Sequence, residues 1–231
     1  MKFPILLPNI FNHPFTYESH LKLQVGDFVE VPFGKSKITG VVWDEFEKKN
    51  NKSFKTKQII KKFEVPKLKK NTLKFLNWFA EYNIVPKGMA LKLILLSGKT
   101  ANRFDDKFYK PFCSKIKSHS IKLTKEQQLS LNEINISNQK FNVHVLQGTT
   151  GSGKTIVYFE ALKIILEKGY QGLVMLPEIG LTSQFEKKFI EFFGFSPAIW
   201  HSGISKKNKE IIWSGITTGE INVVIGARSS L

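Results

Sequence analysis

Hydrophobic and polar residues follow two different rhythms along this chain, and the rhythm changes near residue 120. Residues 1–65 are β-rich: stretch 27–46 holds two β-branched and aromatic runs joined by a Gly-Lys-Ser-Lys turn, and residues 55–63 read as a further strand. Residues 71–82 place apolar side chains at helical spacing, which predicts an amphipathic helix with Asn71 as its cap. A second short helix is predicted over residues 88–98.

From residue 121 onward, short apolar runs alternate with helical patterns. The predicted order is helix 124–135, strand 141–146, helix 154–168, strand 172–176, helix 181–193, strand 196–200, helix 206–216 and strand 221–226. Alternation of this kind indicates a parallel sheet with helices on both faces. The chain is therefore predicted to be α/β, with a β-rich domain at 1–97, an aperiodic linker at 98–120 and a P-loop domain at 121–231.

Basic residues are concentrated in the first half of the chain. Lysine and arginine outnumber acidic residues 23 to 10 in residues 1–120 but only 12 to 9 in residues 121–231. The formal net charge of +16 attracts polyanions, nucleic acid above all. Because lysines number 33 and arginines 2, an AT-rich genome is a competing explanation for part of this charge.

Cysteine content and hydropathy limit the cellular compartment in which we expect the protein. Cys113 is the only cysteine, which excludes a disulfide or a cysteine-rich zinc site within these residues. Pro4 and Pro8 interrupt the apolar start, which lacks the core of a signal peptide, and no run approaches the roughly 18 apolar residues of a membrane helix. We therefore expect a cytoplasmic protein with no membrane partner.

The stretch HVLQGTTGSGKT, residues 144–155, has the spacing of a phosphate-binding loop. Backbone N–H groups of such a loop and of the following helix surround the phosphates, Lys154 reaches the β- and γ-phosphates, and the Thr155 hydroxyl holds Mg²⁺. Upstream, the amide of Gln127 has the donor and acceptor that can pair with an adenine edge. The predicted nucleotide site comprises Gln127, Gly148, Thr149, Thr150, Gly151, Ser152, Gly153, Lys154 and Thr155.

Two further loops follow predicted strands at the edge of the sheet where ligands bind. Hydroxyl groups at the start of a helix suit a nucleic-acid phosphate, although an ordinary helix cap explains them equally well. The candidate DNA-binding residues in these loops are Pro177, Glu178, Thr182, Gln184, Gly226, Arg228 and Ser229.

A basic stretch at 48–74 adds a possible track for single-stranded DNA. It carries 11 lysines interleaved with Phe54, Phe63, Ile59 and Ile60, and a solvated lysine-rich surface is the alternative. No aspartate follows the P-loop, so the second ligand that P-loop ATPases offer to Mg²⁺ is missing from this sequence. The one apolar run ending in Asp-Glu, residues 41–45, precedes the P-loop and reads as an ordinary strand end.

Taken together, the motifs resemble those of the primosomal protein N′ family, the PriA replication-restart helicases. LTKEQ, LQGTTGSGKT, LVMLPEIGLTSQF, WHSGISKKNK and VVIGARSSL stand in that family's order and spacing, and VPFGKSKITGVVW is similar to its DNA-binding domain. The resemblance implies a superfamily 2 DNA helicase with RecA-like lobes that runs 3′ to 5′ on ATP. It also implies recognition of stalled or forked DNA and of single strands, with restart proteins and single-strand-binding protein as partners.

The resemblance assigns roles to matching positions. Gln127 would read adenine, the loops at 177–184 and 226–230 would contact single-stranded DNA, and a pocket for a DNA 3′ end would include Phe15, Thr16, Gly34 and Lys57. Thr16 departs from the family, which usually has aspartate there, so an acceptor at this position would carry no charge and the strength or selectivity of 3′-end capture would differ from the family's.

The resemblance also implies parts that are missing. The family has a winged-helix module where residues 98–120 are too few to form one. Its DEAH-type box, zinc-binding cysteines and second lobe lie beyond position 231. We therefore expect an N-terminal portion that binds DNA and ATP but lacks the residues for hydrolysis, with zinc only in the missing part. The alternatives are a small-molecule P-loop kinase with a basic appendage and a nucleic-acid-binding module with a vestigial nucleotide site.

Overall fold

The computed structural model describes residues 1–46, 56–95, 121–134, 141–177 and 179–227, without the side chains of 179–183. These residues form two compact units. The first contains the described residues up to 95 together with 206–217, and the second contains those of 121–205 and 218–227. The predicted linker 98–120 lies outside the described residues, as do Phe54, Glu178, Arg228 and Ser229.

The first unit contains a six-stranded sheet, which confirms the β-rich N-terminal region. Its strands lie in the order β5-β2-β1-β4-β3-β6. They are β1 (Lys2–Leu6), β2 (Phe15–Glu18), β3 (Phe28–Phe33), β4 (Ser36–Val42), β5 (Lys57–Gln58) and β6 (Lys61–Lys62).

The segment 57–62 joins the two edges of this sheet. Strand β5 pairs with β2 at one edge, and β6 pairs with β3 at the other. Between them, Ile59 N donates to Glu18 O and Ile60 N donates to Glu30 O, each at 2.9 Å. Because one short segment pairs with both edges, the sheet closes into a small barrel, and the single strand expected over 55–63 is two short strands.

The sheet has apolar side chains on both faces because successive residues of a strand point to opposite sides. Ile5 and Leu7 belong to a cluster inside the barrel, whereas Leu6 between them belongs to a second cluster outside it. Helices α1 (Lys70–Tyr82) and α2 (Lys87–Leu91) cover the outer cluster. The α1 prediction is confirmed. The capping prediction for Asn71 is wrong, because the helix begins one residue earlier, after Lys69, with no side-chain cap.

Helix α6 (Lys206–Thr218) belongs to the first unit through residue 217, although strands of the second unit flank it in sequence. Trp213 packs against the outer cluster, and its ring meets that of Phe28 edge-on at a centroid distance of 6.0 Å. The domain boundaries predicted from sequence and the compact units therefore differ at this helix.

The second unit has a three-stranded parallel sheet, as predicted, in the order β7-β9-β8. Phenylalanines dominate its core, where the rings of Phe189 and Phe193 stack at 4.3 Å. Its elements are α3 (Lys125–Glu133), α4 (Lys154–Glu167), β7 (Gly172–Met175), α5 (Ile179–Phe193), β8 (Ala198–Trp200) and β9 (Val223–Gly226).

The strand predicted at 141–146 does not form. Residues 141–149 carry no regular structure, and Phe141, Val143 and Val145 are exposed. Their alternation has the period of a strand, but a strand also needs a neighbour to complete its hydrogen bonds. None of the strands in the described ranges pairs with these residues.

Candidate functional site

The P-loop forms a tight turn that leads directly into α4. Gly151 and Gly153 both have positive φ angles, +84° and +82°. Glycine adopts this left-handed conformation readily, whereas other residues rarely do. Gly153 is the N-cap of α4 and contributes no side-chain cap. The first N–H groups of α4 are therefore not capped by a side chain, and the helix dipole adds partial positive charge at the same end.

Lys154 folds back over the loop. Its Nζ donates to Gly148 O at 2.7 Å and to Thr149 O at 2.6 Å. These carbonyls place the ammonium group beside the turn, and a phosphate within the loop would compete for the same donor. The neighbouring Thr155 Oγ1 accepts a hydrogen bond from the Tyr158 hydroxyl at 3.2 Å, which leaves its own proton and second lone pair for a ligand.

Gln127 contacts the P-loop directly, although it is 21 positions upstream of Gly148. Its Oε1 accepts from Thr124 N at 3.0 Å and its backbone N donates to Thr124 Oγ1, a reciprocal cap at the start of α3. Its Nε2 lies 3.5 Å from Ser152 O. The structure thus brings Gln127 and the P-loop together, with the amide held by both the cap and the loop.

A cavity of about 980 Å³ opens over the P-loop. The loop from Thr150 to Thr155 lines one side, and Ile121, Lys188, Glu191 and Phe192 line the rest together with Ile156 and Phe159. Sequence reasoning missed Ile121, Lys188 and Glu191. Lys188 and Glu191 are three positions apart on α5, so they share one face of that helix, but the sequence alone does not reveal what that face meets.

The strand ends of the second unit lie side by side, as the sequence predicted for its two loops. Met175 and Trp200 are both register partners of Gly226, so β7, β8 and β9 end at the same edge. Pro177 is exposed just beyond this edge. Thr182 lies in the first turn of α5 and Gln184 is exposed on the same helix. The structure adds His201, next to Trp200, which sequence reasoning did not assign.

Aromatic side chains gather at one end of the barrel in the first unit. Phe15 is their centre, with ring centroids of His13, Phe11 and Phe33 at 5.0, 5.2 and 5.4 Å. We call these four residues the mouth cluster. Phe15 and Phe33 also pack against the core inside the barrel. Of this cluster, only Phe15 was predicted as a site residue.

Gly34 belongs to the same end of the barrel, because it follows Phe33 in the turn between β3 and β4. The turn has two residues, Gly34 and Lys35, between the partners Phe33 and Ser36. The φ angle of Gly34 is +59°, as in a type II′ turn, and an added Cβ would meet no atom within 4 Å. Glycine is therefore needed for conformation, and the space beside it is open.

Lys57 shares a face of the sheet with Phe15, whereas Thr16 does not. Lys57 is the register partner of Tyr17, which points into the barrel and donates its hydroxyl to Pro32 O at 3.1 Å. Burial raises the pKa of the Tyr17 hydroxyl. Thr16, one residue away on β2, points to the opposite face, so it is separated from the other three predicted pocket residues.

Glu18 fixes the strand that carries Lys57. Its Oε1 accepts from Thr56 Oγ1 at 2.8 Å, and its Oε2 accepts from Gln58 Nε2 at 3.2 Å. Both sequence neighbours of Lys57 are thereby tied to β2. Sequence reasoning did not identify Glu18, because its partners lie about 40 positions away.

The structure does not offer two of the hydrophobic residues that the sequence placed along the basic track at 48–74. Phe63 and Ile59 are buried in the two clusters of the first unit, so neither ring nor branched chain is available for stacking. Lys61 lies over the Phe63 ring at 4.6 Å. Ile60 is exposed, and Phe54 lies outside the described residues.

Among the residues the structure describes, no three His, Cys, Asp or Glu side chains are close enough to hold a metal ion. No helix in the described ranges has the length and apolar content to cross a membrane.

Two family models together match almost the whole chain. The PriA model described as 3′DNA-binding domain (3′BD) matches residues 4–96, and the model described as Type III restriction enzyme, res subunit, matches residues 120–231. The first range contains the barrel with α1 and α2, and the second contains the P-loop and the parallel sheet.

Curated relatives match over the same extent. Replication restart protein PriA of Rickettsia conorii is 36% identical over 239 residues, covering 98% of this chain and 34% of the relative. The protein of that name from Rickettsia felis is 37% identical with the same coverage, and that of Helicobacter pylori is 29% identical over 94% of this chain. The chain spans about a third of the length of these relatives.

These findings define a DNA-binding barrel followed by a helicase-type P-loop domain. The chain belongs to the PriA family of replication restart proteins. Membership argues against the small-molecule kinase considered above, because the kinase alternative does not explain the 3′ DNA-binding domain.

Proposed function

We propose that this chain is the DNA-binding and ATP-binding part of a 3′-to-5′ helicase that acts at stalled replication forks and restarts replication. The observation that carries the proposal is the presence, in one chain, of the matched 3′ DNA-binding barrel and of a P-loop cavity. Forked and single-stranded DNA, restart proteins and single-strand-binding protein are the proposed partners, and the cytoplasm is the proposed location.

The residues around the cavity fit ATP with Mg²⁺. The first N–H groups of α4 and the Lys154 ammonium supply donors and positive charge for a triphosphate. The Thr155 hydroxyl supplies an oxygen ligand for the metal, and Ile121 gives the cavity an apolar wall for a base. ATP would supply the free energy for movement along DNA. Hydrolysis by these residues alone should be low, because no aspartate follows the P-loop in the sequence.

The barrel mouth fits the end of a DNA strand. The mouth cluster offers ring faces for a terminal base, the turn at Gly34 leaves open space, and Lys57 offers a cation for the last phosphate. We propose that a strand with a free 3′-hydroxyl enters the mouth and that the larger, more highly charged 3′-phosphate does not fit there. Thr16 takes no direct part in this proposal, because it points to the opposite face of β2.

Anisotropy titrations of the 231-residue chain test the barrel mouth. A labelled oligothymidine with a free 3′-hydroxyl should bind more tightly than the same strand with a 3′-phosphate. Lys57→Ala should weaken binding of the free end, and Lys92→Ala, an exposed lysine on the same unit, is the matched control. Equal affinity of wild type for the two ends would disprove 3′-end recognition.

Unwinding tests the nucleotide site. In a protein of the relatives' length that contains this chain, Lys154→Ala should abolish ATP-dependent unwinding. Lys187→Ala, on α5 but not among the cavity-lining residues, should leave it intact. Full unwinding by the Lys154→Ala protein would instead favour the alternative of a vestigial nucleotide site.

A further inference from the structure

Helix α1 carries three aromatic rings on the face that its own packing does not use. Leu73, Leu76 and Ala80 bury one face against the barrel. On the other side, Phe75, Trp78 and Tyr82 are 48%, 54% and 73% exposed. Their spacing of three and four residues places them in one row along the helix. We call this row the α1 ladder.

The rings of the α1 ladder are arranged as neighbours in a stack. Phe75 and Trp78 have a centroid distance of 5.9 Å and an interplanar angle of 36°. Trp78 and Tyr82 are closer to parallel, at 5.2 Å and 22°. Large rings on a water-facing helix leave considerable apolar area in solvent, which is unfavourable unless a ligand covers it.

Lysines flank the α1 ladder. Residues 56–95 contain nine lysines and two glutamates. Lys70 and Lys74 are exposed on α1 itself, and Lys74 lies one turn before Trp78. Positive charge at the start of a helix opposes its dipole, so these lysines do not serve the stability of α1. Their charge suits a polyanion beside the rings.

We propose that the α1 ladder is a stacking platform for single-stranded DNA, with Lys70 and Lys74 holding its phosphates. Exposed rings beside a cationic row are the features that single-strand binding without sequence preference requires. On α1 the exposed charged residues are Lys70, Lys74 and Glu81, so the net charge of the helix is positive and suits a polyanion. The proposal rests on the proposed DNA binding, but it uses a surface other than the barrel mouth.

Titration with an end-blocked strand isolates the α1 ladder from 3′-end recognition. The probe is a fluorescein-labelled oligothymidine with a 3′-phosphate, and the protein is the 231-residue chain. The combined variant Phe75→Ala, Trp78→Ala and Tyr82→Ala should raise Kd at least about fivefold, the loss expected when one base loses its stacking partner. The slope of log K against log salt should not change, because stacking releases no counterions.

Two matched variants separate the contributions. Met89→Ala with Leu93→Ala removes exposed apolar side chains from the neighbouring region without removing a ring, and it should leave Kd unchanged. Lys70→Ala with Lys74→Ala should reduce the salt slope by about 1.4, the value for two phosphate contacts to a single strand.

Tryptophan fluorescence gives a second readout that does not depend on a destabilising variant. Trp78 is the most exposed of the four tryptophans, at 54%, whereas Trp43 is buried and Trp200 and Trp213 are partly buried. Stacking of thymine on Trp78 should quench the emission of the wild-type protein. Trp78→Phe should remove the quenching while retaining most of the affinity.

Several outcomes would overturn the proposal. Wild-type affinity of the triple variant would do so, as would an equal loss in the Met89 and Leu93 control. A change in oligomeric state with unchanged DNA affinity would assign the face to a protein contact instead. If the wild-type chain binds free 3′ ends but the end-blocked strand is unaffected by the triple variant, only the α1 ladder fails. If it binds neither strand, the proposed DNA-binding function itself fails.

Discussion

Replacing Gly153 by alanine should damage the P-loop more than replacing Gly151, although the two glycines have nearly the same backbone conformation. Their φ angles are +82° and +84°, so either alanine would bear the cost of the left-handed region, about 1–2 kcal/mol. The surroundings differ. A Cβ on Gly151 would meet nothing within 4 Å, whereas a Cβ on Gly153 would collide with Gln127 Nε2.

The extra cost at Gly153 can be worked out from the contacts of Gln127. To make room, its side chain must leave Ser152 O, at 3.5 Å, and Thr124 N, at 3.0 Å. The first contact is long and weak, and the second is an ordinary hydrogen bond with a net value of about 0.5–1.5 kcal/mol. We therefore expect Gly153→Ala to destabilise the P-loop by about 1 kcal/mol more than Gly151→Ala does. That energy corresponds to about a fivefold change in affinity.

Titration with a fluorescent ATP analogue and Mg²⁺ measures this difference. The apparent Kd for nucleotide rises in proportion as the strain lowers the fraction of molecules whose P-loop can bind it. Introducing Gly153→Ala into a Gln127→Ala background removes the collision, and its effect there should fall to that of Gly151→Ala. Equal effects of the two alanines in the wild-type background, or no relief from Gln127→Ala, would refute the argument.

Three further predictions concern charges. Lys188→Ala should weaken binding of an ATP analogue severalfold at low salt, because its side chain lines the cavity, and Lys187→Ala should not; equal effects would contradict the assignment. Glu191→Gln should tighten the same binding up to about fivefold, because a carboxylate lining the cavity repels phosphate, and a weaker Kd would contradict this. Lys62→Met should lower the free energy of unfolding of the barrel by about 1.5–3 kcal/mol in urea titrations, because the buried Asp27 carboxylate loses its cationic partner at 2.8 Å and keeps the hydrogen bond from Gln24 N. An unchanged midpoint would contradict this prediction.

Local patterns in the sequence were sufficient for elements that depend on their own residues. The helical spacing of apolar residues over 71–82 defined α1 to within one residue, and the P-loop motif located both the turn and the start of α4. By contrast, α2 ends at Leu91, well before the predicted residue 98, and the strand expected over 141–146 is absent. A strand depends on a neighbour, and the alternation of apolar residues along one segment does not identify that neighbour.

In the candidate sites as well, residues encoded by a local motif could be predicted and residues placed by tertiary packing could not. The P-loop residues could be predicted because a contiguous motif encodes them. Lys188 and Glu191 could not, because their position depends on the rotation of α5, which the packing of Phe185, Phe189 and Phe193 in the core determines. The strand alternation that separates Thr16 from Phe15 is visible in the sequence, but the register that places Lys57 beside Tyr17 depends on barrel closure.

The packing of Trp213 against the first unit affects how a truncated fragment of this chain should behave. A fragment ending near residue 97 would contain the barrel, α1 and α2 but would lack the helix whose tryptophan covers Phe28. Such a fragment should expose apolar surface that α6 covers in the longer chain. Its solubility should therefore be lower, and its tendency to aggregate greater, than those of the longer chain. A peptide of residues 206–217 supplied in trans should bind this fragment and restore its solubility, as a complementing segment does in a split protein.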